Sequence, residues 1–281
     1  MHNQGSIIPI RLTACVLFLY GFLVLSCKSG TQEEHKISSV DDNTPPNITY
    51  KVLNVFSHDT TSYTEGFLVH NGDLYESTGH TNSFPSTRSL FGILNLSNGR
   101  IDVKAEIDKN KWFGEGIAFL KNRVYQLTDT TRIGFIYDAG NFRKLGDFFY
   151  EGEGWGLTTN GKYLIMSNGS SNIFYREPQT FKILKTLSVM DNNGPVQNIN
   201  ELELIHGYIY ANQWLTDYIL KIDTLSGKVV GRLDLTSLKT EVKIKYPNAQ
   251  ETNGIAFDSA ADKIYVTGKL WPQVFELSFD H

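Results

Sequence analysis

Carboxylate side chains beside glycine recur along this sequence at wide and similar intervals. The pairs are Glu65-Gly66, Glu115-Gly116 and Glu153-Gly154, and Asn200-Glu201 adds a fourth acidic position. If the fold brings these carboxylates together, they repel one another, and the pKa of at least one rises. A carboxyl group with a raised pKa can transfer protons near neutral pH. A structural calcium site, or caps and hydrogen bonds between structural units, is the alternative explanation.

Two tryptophans and one lysine occupy positions that favour a binding pocket. Trp155 lies in a glycine-rich segment, and Trp214 follows the end of an apolar run. Lys269 stands between a glycine and Leu-Trp-Pro, again at the end of an apolar run. Indole rings line many ligand pockets, and a lysine at such a place can reach into one. Core packing of the indoles and a solvated lysine are the alternatives.

Composition excludes several classes of function. The 281 residues are 41% hydrophobic and 20% charged, which is typical of a folded globular chain. The formal net charge is −4 and no basic stripe is present, so nucleic acid is not an expected partner. The G-x-S-x-G, Walker, HExxH and CxxC motifs do not occur in the sequence. The two cysteines, Cys15 and Cys27, both belong to the N-terminal segment, so the expected chemistry depends on oxygen and nitrogen side chains.

The N-terminal segment predicts a lipid anchor. Residues 7–26 are mostly apolar and end in Ser26-Cys27, which is typical of a bacterial lipoprotein signal. We expect residues 1–26 to be removed and Cys27 to be acylated at the cell envelope, on the periplasmic or surface side. Residues 27–47 then form an acidic, polar tether to the bilayer. An uncleaved transmembrane anchor is the alternative, since the segment is long enough to span.

Strand-rich repeats fill the rest of the chain. Each repeat begins with a hydrophobic strand and continues through tight turns into further strands rich in Tyr, Leu and Ile. The repeats start at positions 66, 116, 156, 202 and 254. This period predicts an all-β, five-bladed β-propeller over residues 48–281. The fifth repeat lacks a strand, and residues 49–56 at the N-terminal end are expected to close that blade. A single β-sandwich is the alternative.

Several motifs of the sequence resemble those of the plant and bacterial type of glutaminyl-peptide cyclotransferase. The likeness covers roughly residues 50–279, in order along the five repeats. The motifs are Phe113-Gly114-Glu115-Gly116-Ile117, Glu153-Gly154-Trp155-Gly156-Leu157, Asn200-Glu201-Leu202-Glu203, Tyr210-Ala211-Asn212-Gln213-Trp214 and Gly268-Lys269-Leu270-Trp271-Pro272. The resemblance implies a five-bladed propeller that converts the N-terminal glutamine of peptides and proteins to pyroglutamate and releases ammonia.

The resemblance also implies roles for particular residues. Glu115 corresponds to the general acid and base of the family, and Lys269 and Asn200 correspond to groups that polarise and position the substrate. The expected substrate contacts are Tyr63, Glu65, Phe113, Trp155 and Trp214. The family is understood to work without zinc, so we expect no metal and no cofactor. We also expect a monomer.

Two positions depart from the family pattern. Glu65 stands where the family usually has glutamine, and Asp129 stands where it usually has tryptophan. Trp112 is a candidate to replace that missing wall. These departures favour, as a second hypothesis, a non-catalytic propeller that binds peptide or glycan at the envelope. A third hypothesis is a calcium-dependent, lactonase-like propeller that uses the glycine-adjacent carboxylates as ligands.

Overall fold

Short antiparallel strands make up most of residues 44–281, the part of the chain that the structure, a computed structural model, describes. After β1 (Lys51–Ser57), the strands form four-stranded sheets in order along the chain. The first sheet contains β2 (Thr64–His70), β3 (Asp73–Thr78), β4 (Leu90–Asn95) and β5 (Arg100–Glu106). The second contains β6 (Gly114–Leu120), β7 (Arg123–Thr128), β8 (Ile133–Asp138) and β9 (Lys144–Phe149).

Three further sheets complete the ring. The third contains β10 (Leu157–Thr159), β11 (Leu164–Met166), β12 (Asn172–Arg176) and β13 (Ile183–Ser188). A two-stranded ribbon of β14 (Met190–Asp191) and β15 (Gly194–Pro195) follows. The fourth contains β16 (Ile199–Ile205), β17 (Tyr208–Gln213), β18 (Tyr218–Asp223) and β19 (Val229–Asp234). The fifth contains β20 (Thr252–Asp258), β21 (Lys263–Gly268), β22 (Gln273–Ser278) and, from the other end of the chain, β1.

The fifth sheet confirms the predicted closure of the ring. β1 pairs antiparallel with β22, and the register runs from Lys51 opposite Ser278 to Ser57 opposite Gln273. This pairing covers the β22 edge, which would otherwise present unpaired backbone groups. Just ahead of β1, Ile48 N donates to Arg232 O at 2.7 Å and Arg232 N donates to Pro46 O at 3.0 Å. The last residues of the predicted tether therefore lie along β19.

Apolar side chains hold the blades together. Within residues 44–281 the buried hydrophobic residues form five clusters, one between each pair of neighbouring blades. The inner strands are buried nearly throughout, whereas the outer strands β1, β5 and β13 are largely exposed. Burial of apolar area between the blades stabilises the ring. The five innermost strands therefore surround one axis.

One helix interrupts the pattern of strands. α1 (Thr236–Lys245) lies between the fourth and fifth blades, and its Leu238 and Val242 side chains are buried in the cluster between those blades. The sequence analysis did not predict this helix. Along residues 44–281 no helix is apolar and long enough to cross a bilayer. The predicted signal of residues 1–26 and Cys27 lie outside the described residues, as do residues 28–43 of the tether.

Candidate active site

Local irregularities at the start of the inner strands place the candidate residues at one end of the axis. A β-bulge interrupts the ladder between the first and second strands of four blades. The shifts lie between Thr64 and Gly66, Gly114 and Ile117, Ile199 and Leu202, and Thr252 and Ile255. A bulge adds a residue and turns its side chain away from the usual alternation. Glu65, Glu115, Asn200 and Asn253 lie within these bulges.

Glycines beside the bulges allow the inner strands to approach one another closely. A Cβ atom on Gly116 would lie 2.5 Å from Leu157 N and 2.7 Å from Trp155 O. Gly116 N instead donates to Trp155 O at 2.8 Å, which joins the second blade to the third. A larger residue would push these blades apart. The glycine that follows Glu115 is therefore required by packing at the axis.

The candidate residues surround a cavity of about 270 Å³ at this end of the axis. All eight side chains that the sequence analysis selected for catalysis or substrate contact line it. They are Tyr63, Glu65, Phe113, Glu115, Trp155, Asn200, Trp214 and Lys269. Thr81, Asp129 and Glu153 line it as well. The predicted lipidation site Cys27 is not among the described residues. Convergence of side chains from all five blades makes this cavity the candidate site.

Glu65 and Lys269 form a buried ion pair in the cavity wall. Lys269 Nζ donates to Glu65 Oε1 at 2.6 Å, and only 7% of the lysine side chain and 2% of the glutamate side chain are exposed. Asn253 Nδ2 donates to Glu65 Oε2 at 3.0 Å. Burial raises the pKa of Glu65 to about 7, against the opposing effect of the lysine charge. The Glu65 side chain therefore holds the lysine in place.

Backbone hydrogen bonds fix the loop that carries Lys269. Lys269 N donates to Glu251 O at 2.9 Å, and the next residue, Leu270, donates its N–H to Ser62 O at 2.8 Å. The Nδ1 atom of buried His58 lies 2.7 Å from Trp271 O, and its Nε2 atom lies 2.9 Å from a carboxylate oxygen of Glu76. Since these contacts tie the last blade to the first, the lysine side chain enters the cavity from a rigid loop.

Glu115 has the environment expected of a proton carrier. Its side chain is buried, and its Oε2 atom has no hydrogen-bond partner within residues 44–281. Ser77 Oγ donates to the Glu115 backbone carbonyl at 2.6 Å and so fixes the strand beneath it. Burial and the nearby Glu65 carboxylate raise the pKa of Glu115 well above its ordinary value. A buried carboxyl oxygen without a partner is costly, and sites for ligands retain such groups.

Asn200 supplies a second polar group without a partner. Its Oδ1 atom is buried and accepts no hydrogen bond from any residue between 44 and 281. Ser167 Oγ donates to the Asn200 backbone carbonyl at 2.7 Å and accepts from Gly156 N at 2.8 Å. This serine bridge links the third and fourth blades at the cavity. The Asn200 amide is therefore positioned by its backbone, and its side-chain oxygen stays available to a ligand.

Aromatic rings form two walls of the cavity. Trp155 and Trp214 pack edge to face with centroids 5.5 Å apart, and Tyr63 and Phe113 do the same at 6.0 Å. Trp155 Nε1 donates to Glu153 Oε2 at 3.1 Å. Edge-to-face pairs limit the rotation of the rings and present flat apolar faces to a ligand. The cavity therefore combines apolar walls with a few polar groups, as ligand sites generally do.

The other two tryptophans contact the core. Trp271 is fully buried in the cluster between the fourth and fifth blades. Trp112 is half-buried and packs edge to face on Phe135 at 5.2 Å, against the cluster between the first and second blades. It does not line the cavity, so the suggestion that it replaces the family tryptophan at position 129 is wrong. Asp129 itself faces the cavity, where burial and then Glu153 raise its pKa. This part of the cavity wall is therefore acidic.

The sequence analysis did not select Thr81, which lines the cavity, or Asn253, which bonds Glu65 in the cavity wall. Thr81 lies in an irregular loop after β3, and no pattern in the sequence marks it. Asn253 was visible beside Gly254 at the fifth repeat, but its bond to Glu65 depends on the meeting of the first and last blades. The calcium hypothesis required three or four oxygen ligands around one point. Among the described residues 44–281, no three carboxylate side chains that line this cavity place their oxygens within 4.8 Å of one another.

Fold and site together define a class of protein. It is a five-bladed propeller whose axial cavity holds a buried, unpaired carboxyl group beside a lysine, an asparagine and indole rings, a set suited to acid–base chemistry on a small polar group. Residues 22–279 match the family described as glutamine cyclotransferase, and this chain belongs to that family.

Two relatives agree with this assignment. Glutaminyl-peptide cyclotransferase of Arabidopsis thaliana is 32% identical over 281 residues, covering 97% of this chain and 82% of the plant protein. The crystal structure of Myxococcus xanthus glutaminyl cyclase superimposes with a TM-score of 0.74 at 32% identity, covering 84% of this chain and 99% of the bacterial one.

Proposed function

We propose that this protein converts the N-terminal glutamine of peptides and proteins to pyroglutamate and releases ammonia, with Glu115 as general acid and base. The observation that supports this most directly is the buried Glu115 carboxyl group, which has a raised pKa and an unpaired oxygen in the cavity. A single chain supplies side chains from all five blades to this cavity, so we propose that it can act as a monomer.

The proposed reaction needs two proton transfers at one place. The α-amino nitrogen attacks the side-chain amide carbon, so that a C–N bond forms and closes the five-membered ring. Glu115 takes a proton from that amine and then gives one to the leaving nitrogen, which departs as ammonia when the original C–N bond breaks. General acid–base catalysis of this kind contributes about 10²- to 10⁴-fold. Holding the glutamine folded back on itself supplies a further part of the rate.

The remaining polar groups handle charge and position. Negative charge develops on the amide oxygen during the attack, and the Lys269 ammonium is the proposed donor to it. Lys269 donates to Glu65 Oε1, and an ammonium has three donors, so it can bond the substrate as well. The unpaired Asn200 Oδ1 is the proposed acceptor for the substrate amine. Trp155 and Trp214 would pack against the glutamine methylenes and exclude water.

Ammonia release from a peptide that begins with glutamine tests the proposed function. We expect release from Gln-Ala amide and none from its N-acetylated form, which lacks the attacking amine. The N-acetylated peptide is a matched control because the carboxamide is unchanged. If Gln-Ala amide binds but yields no ammonia, the chain is instead the non-catalytic peptide-binding propeller considered above.

Substitution of one glycine is expected to displace a wall of the cavity. Gly169 and Gly161 both have left-handed backbones, at φ +77° and +78°. A Cβ atom on Gly169 would run into the Trp155 ring, whereas one on Gly161 meets nothing within 4 Å. Since small misplacements at a site are costly, we expect Gly169→Ala to lower kcat/KM about 10- to 100-fold. Gly161→Ala carries the same backbone strain and should retain activity. Equal activity of the two variants would contradict a role for Trp155.

We further propose that the protein acts at a bacterial cell envelope, held to the bilayer by acylated Cys27. The support is the sequence pattern alone, an apolar segment that ends in Ser26-Cys27. We expect Cys27→Ser to move most of the protein from the membrane fraction to the soluble fraction, as measured by fractionation and immunoblotting. Cys15→Ser changes a cysteine inside the same segment and should leave the distribution unchanged. Membrane retention of the Cys27 variant would contradict the anchor.

A further inference from the structure

Outside the cavity, two histidines and an aspartate meet where the fourth and fifth blades adjoin. His206 lies in the hairpin between β16 and β17, Asp262 lies in the hairpin between β20 and β21, and His281 follows β22. Their potential ligand atoms all lie within 4.8 Å of one another, and no other such trio occurs between residues 44 and 281. Asp262 Oδ1 is 3.1 Å from His281 Nε2 and 3.9 Å from His206 Nε2.

Hydrogen bonding and packing orient the two imidazole rings. His281 Nδ1 lies 2.9 Å from Phe279 O, where it can only donate, so Nε2, 3.1 Å from Asp262 Oδ1, is the ring atom that could coordinate a metal. The two histidine rings stack with centroids 5.1 Å apart, and each packs edge to face on Phe257. A histidine whose second nitrogen donates to a carbonyl is the usual arrangement of a metal ligand. His281 is thus preorganised for coordination.

We propose that His206, Asp262 and His281 form a zinc site. Two imidazole nitrogens and one carboxylate oxygen are ligands that zinc accepts, with water at the remaining position. For bonds of about 2.0–2.1 Å, ligand atoms of a tetrahedral site lie about 3.4 Å apart. The 3.1 and 3.9 Å separations bracket that value. The His206 and Asp262 side chains are 57% and 71% exposed, so they are free to make the small rotations required.

The site would join three segments that are distant in the sequence. A metal held there ties the hairpins of two neighbouring blades to the residues that follow the closing strand pair of β22 and β1. Since the ligands come together only in the folded chain, zinc binding stabilises the folded state in proportion to its concentration. The proposal is independent of the proposed ammonia release, because none of the three residues lines the axial cavity.

Calorimetric titration with zinc chloride tests the proposal. The protein is the untagged full chain in detergent, stripped with EDTA and freed of the chelator. We expect one zinc per chain and a Tm higher by a few degrees at saturating zinc. We expect His206→Ala and Asp262→Asn each to weaken binding by about tenfold or more. Cobalt in place of zinc should give a visible absorption band, and His281→Ala should abolish it.

Asp73→Asn is the matched control. Asp73 lies at the corresponding hairpin of the first blade, opposite a single histidine, His70. This variant should bind zinc as the parent chain does. Absence of stoichiometric binding would overturn the proposal, as would unchanged affinity in the His206 and Asp262 variants. EDTA is expected to remove the gain in Tm and to leave ammonia release unchanged, whereas failure of ammonia release alone would refute only the proposed function.

Discussion

Glu115→Gln is expected to lower kcat for ammonia release about 10²- to 10⁴-fold, the contribution typical of a general acid–base residue. Glutamine keeps the size of the side chain but can neither accept the amine proton nor return one to the leaving nitrogen. Burial and the Glu65 carboxylate raise the pKa of the parent carboxyl group, so the folded chain disfavours its ionised form. Replacing it with a neutral amide of the same size removes the proton carrier without removing a net favourable charge interaction, and Tm should change little.

Glu203→Gln is the matched control for this prediction. Glu203 is also a buried glutamate of an inner strand, and burial raises its pKa to about 8. It lies away from the candidate site and accepts bonds from Phe257 N at 3.2 Å and Thr158 Oγ1 at 3.1 Å. Its variant should retain the parent kcat. Unchanged turnover in Glu115→Gln, measured by coupled detection of ammonia, would reject the assigned mechanism.

Lys269→Met is expected to lower kcat about 10²- to 10³-fold, the usual cost of losing a donor to a developing oxyanion. Methionine fills a similar volume but offers no positive charge and no donor. The control is Lys263→Met, at the start of β21, the strand that precedes Lys269, where the side chain is 43% exposed and Nζ lies 3.6 Å from Glu276 Oε1. Lys263 does not line the cavity, so the control should turn over normally.

The pH profile separates a catalytic from a purely structural role of Lys269. Burial raises the pKa of both Glu65 and Glu115, and the charge of Lys269 counters that rise. Without the cation both pKa values increase, so less ionised carboxylate is present at a given pH. Since the ionised form accepts the amine proton, the acid limb of kcat/KM should move to higher pH in Lys269→Met. A limb that stays in place would contradict direct coupling between the lysine and the acid–base group.

The blade pattern was accessible from the sequence because each blade repeats the same alternation of strands and turns. The uneven spacing of the repeats has a structural cause that the pattern does not reveal. The ribbon of β14 and β15 lengthens the third interval, and α1 lengthens the fourth. The helix carries only two buried side chains, Leu238 and Val242, so its periodic signal is too weak to compete with the strands around it.

The site residues were predictable individually, but their contacts were not. The resemblance to the family identifies Glu115, Asn200 and Lys269 because each lies in a distinctive sequence motif. The ion pair between Glu65 and Lys269 joins positions 204 residues apart, and it depends on the closing of the ring. Only the three-dimensional structure shows that the Glu65 side chain is paired with a lysine in the cavity.

At the bulged starts of the inner strands, the side chains of the site lie outside the regular strand pairing that builds the sheets. Each bulge holds its functional residue outside the alternation of inward and outward side chains that builds the sheet. Positions 65, 115 and 200 can therefore be varied together in a library while the pleated parts of the blades keep their packing. Asn253 should be kept, because its side chain bonds Thr64 O and Glu65 Oε2 and so joins the fifth blade to the first. Deletion of one residue at a bulge would instead turn the neighbouring side chains of that strand to the opposite face of the sheet.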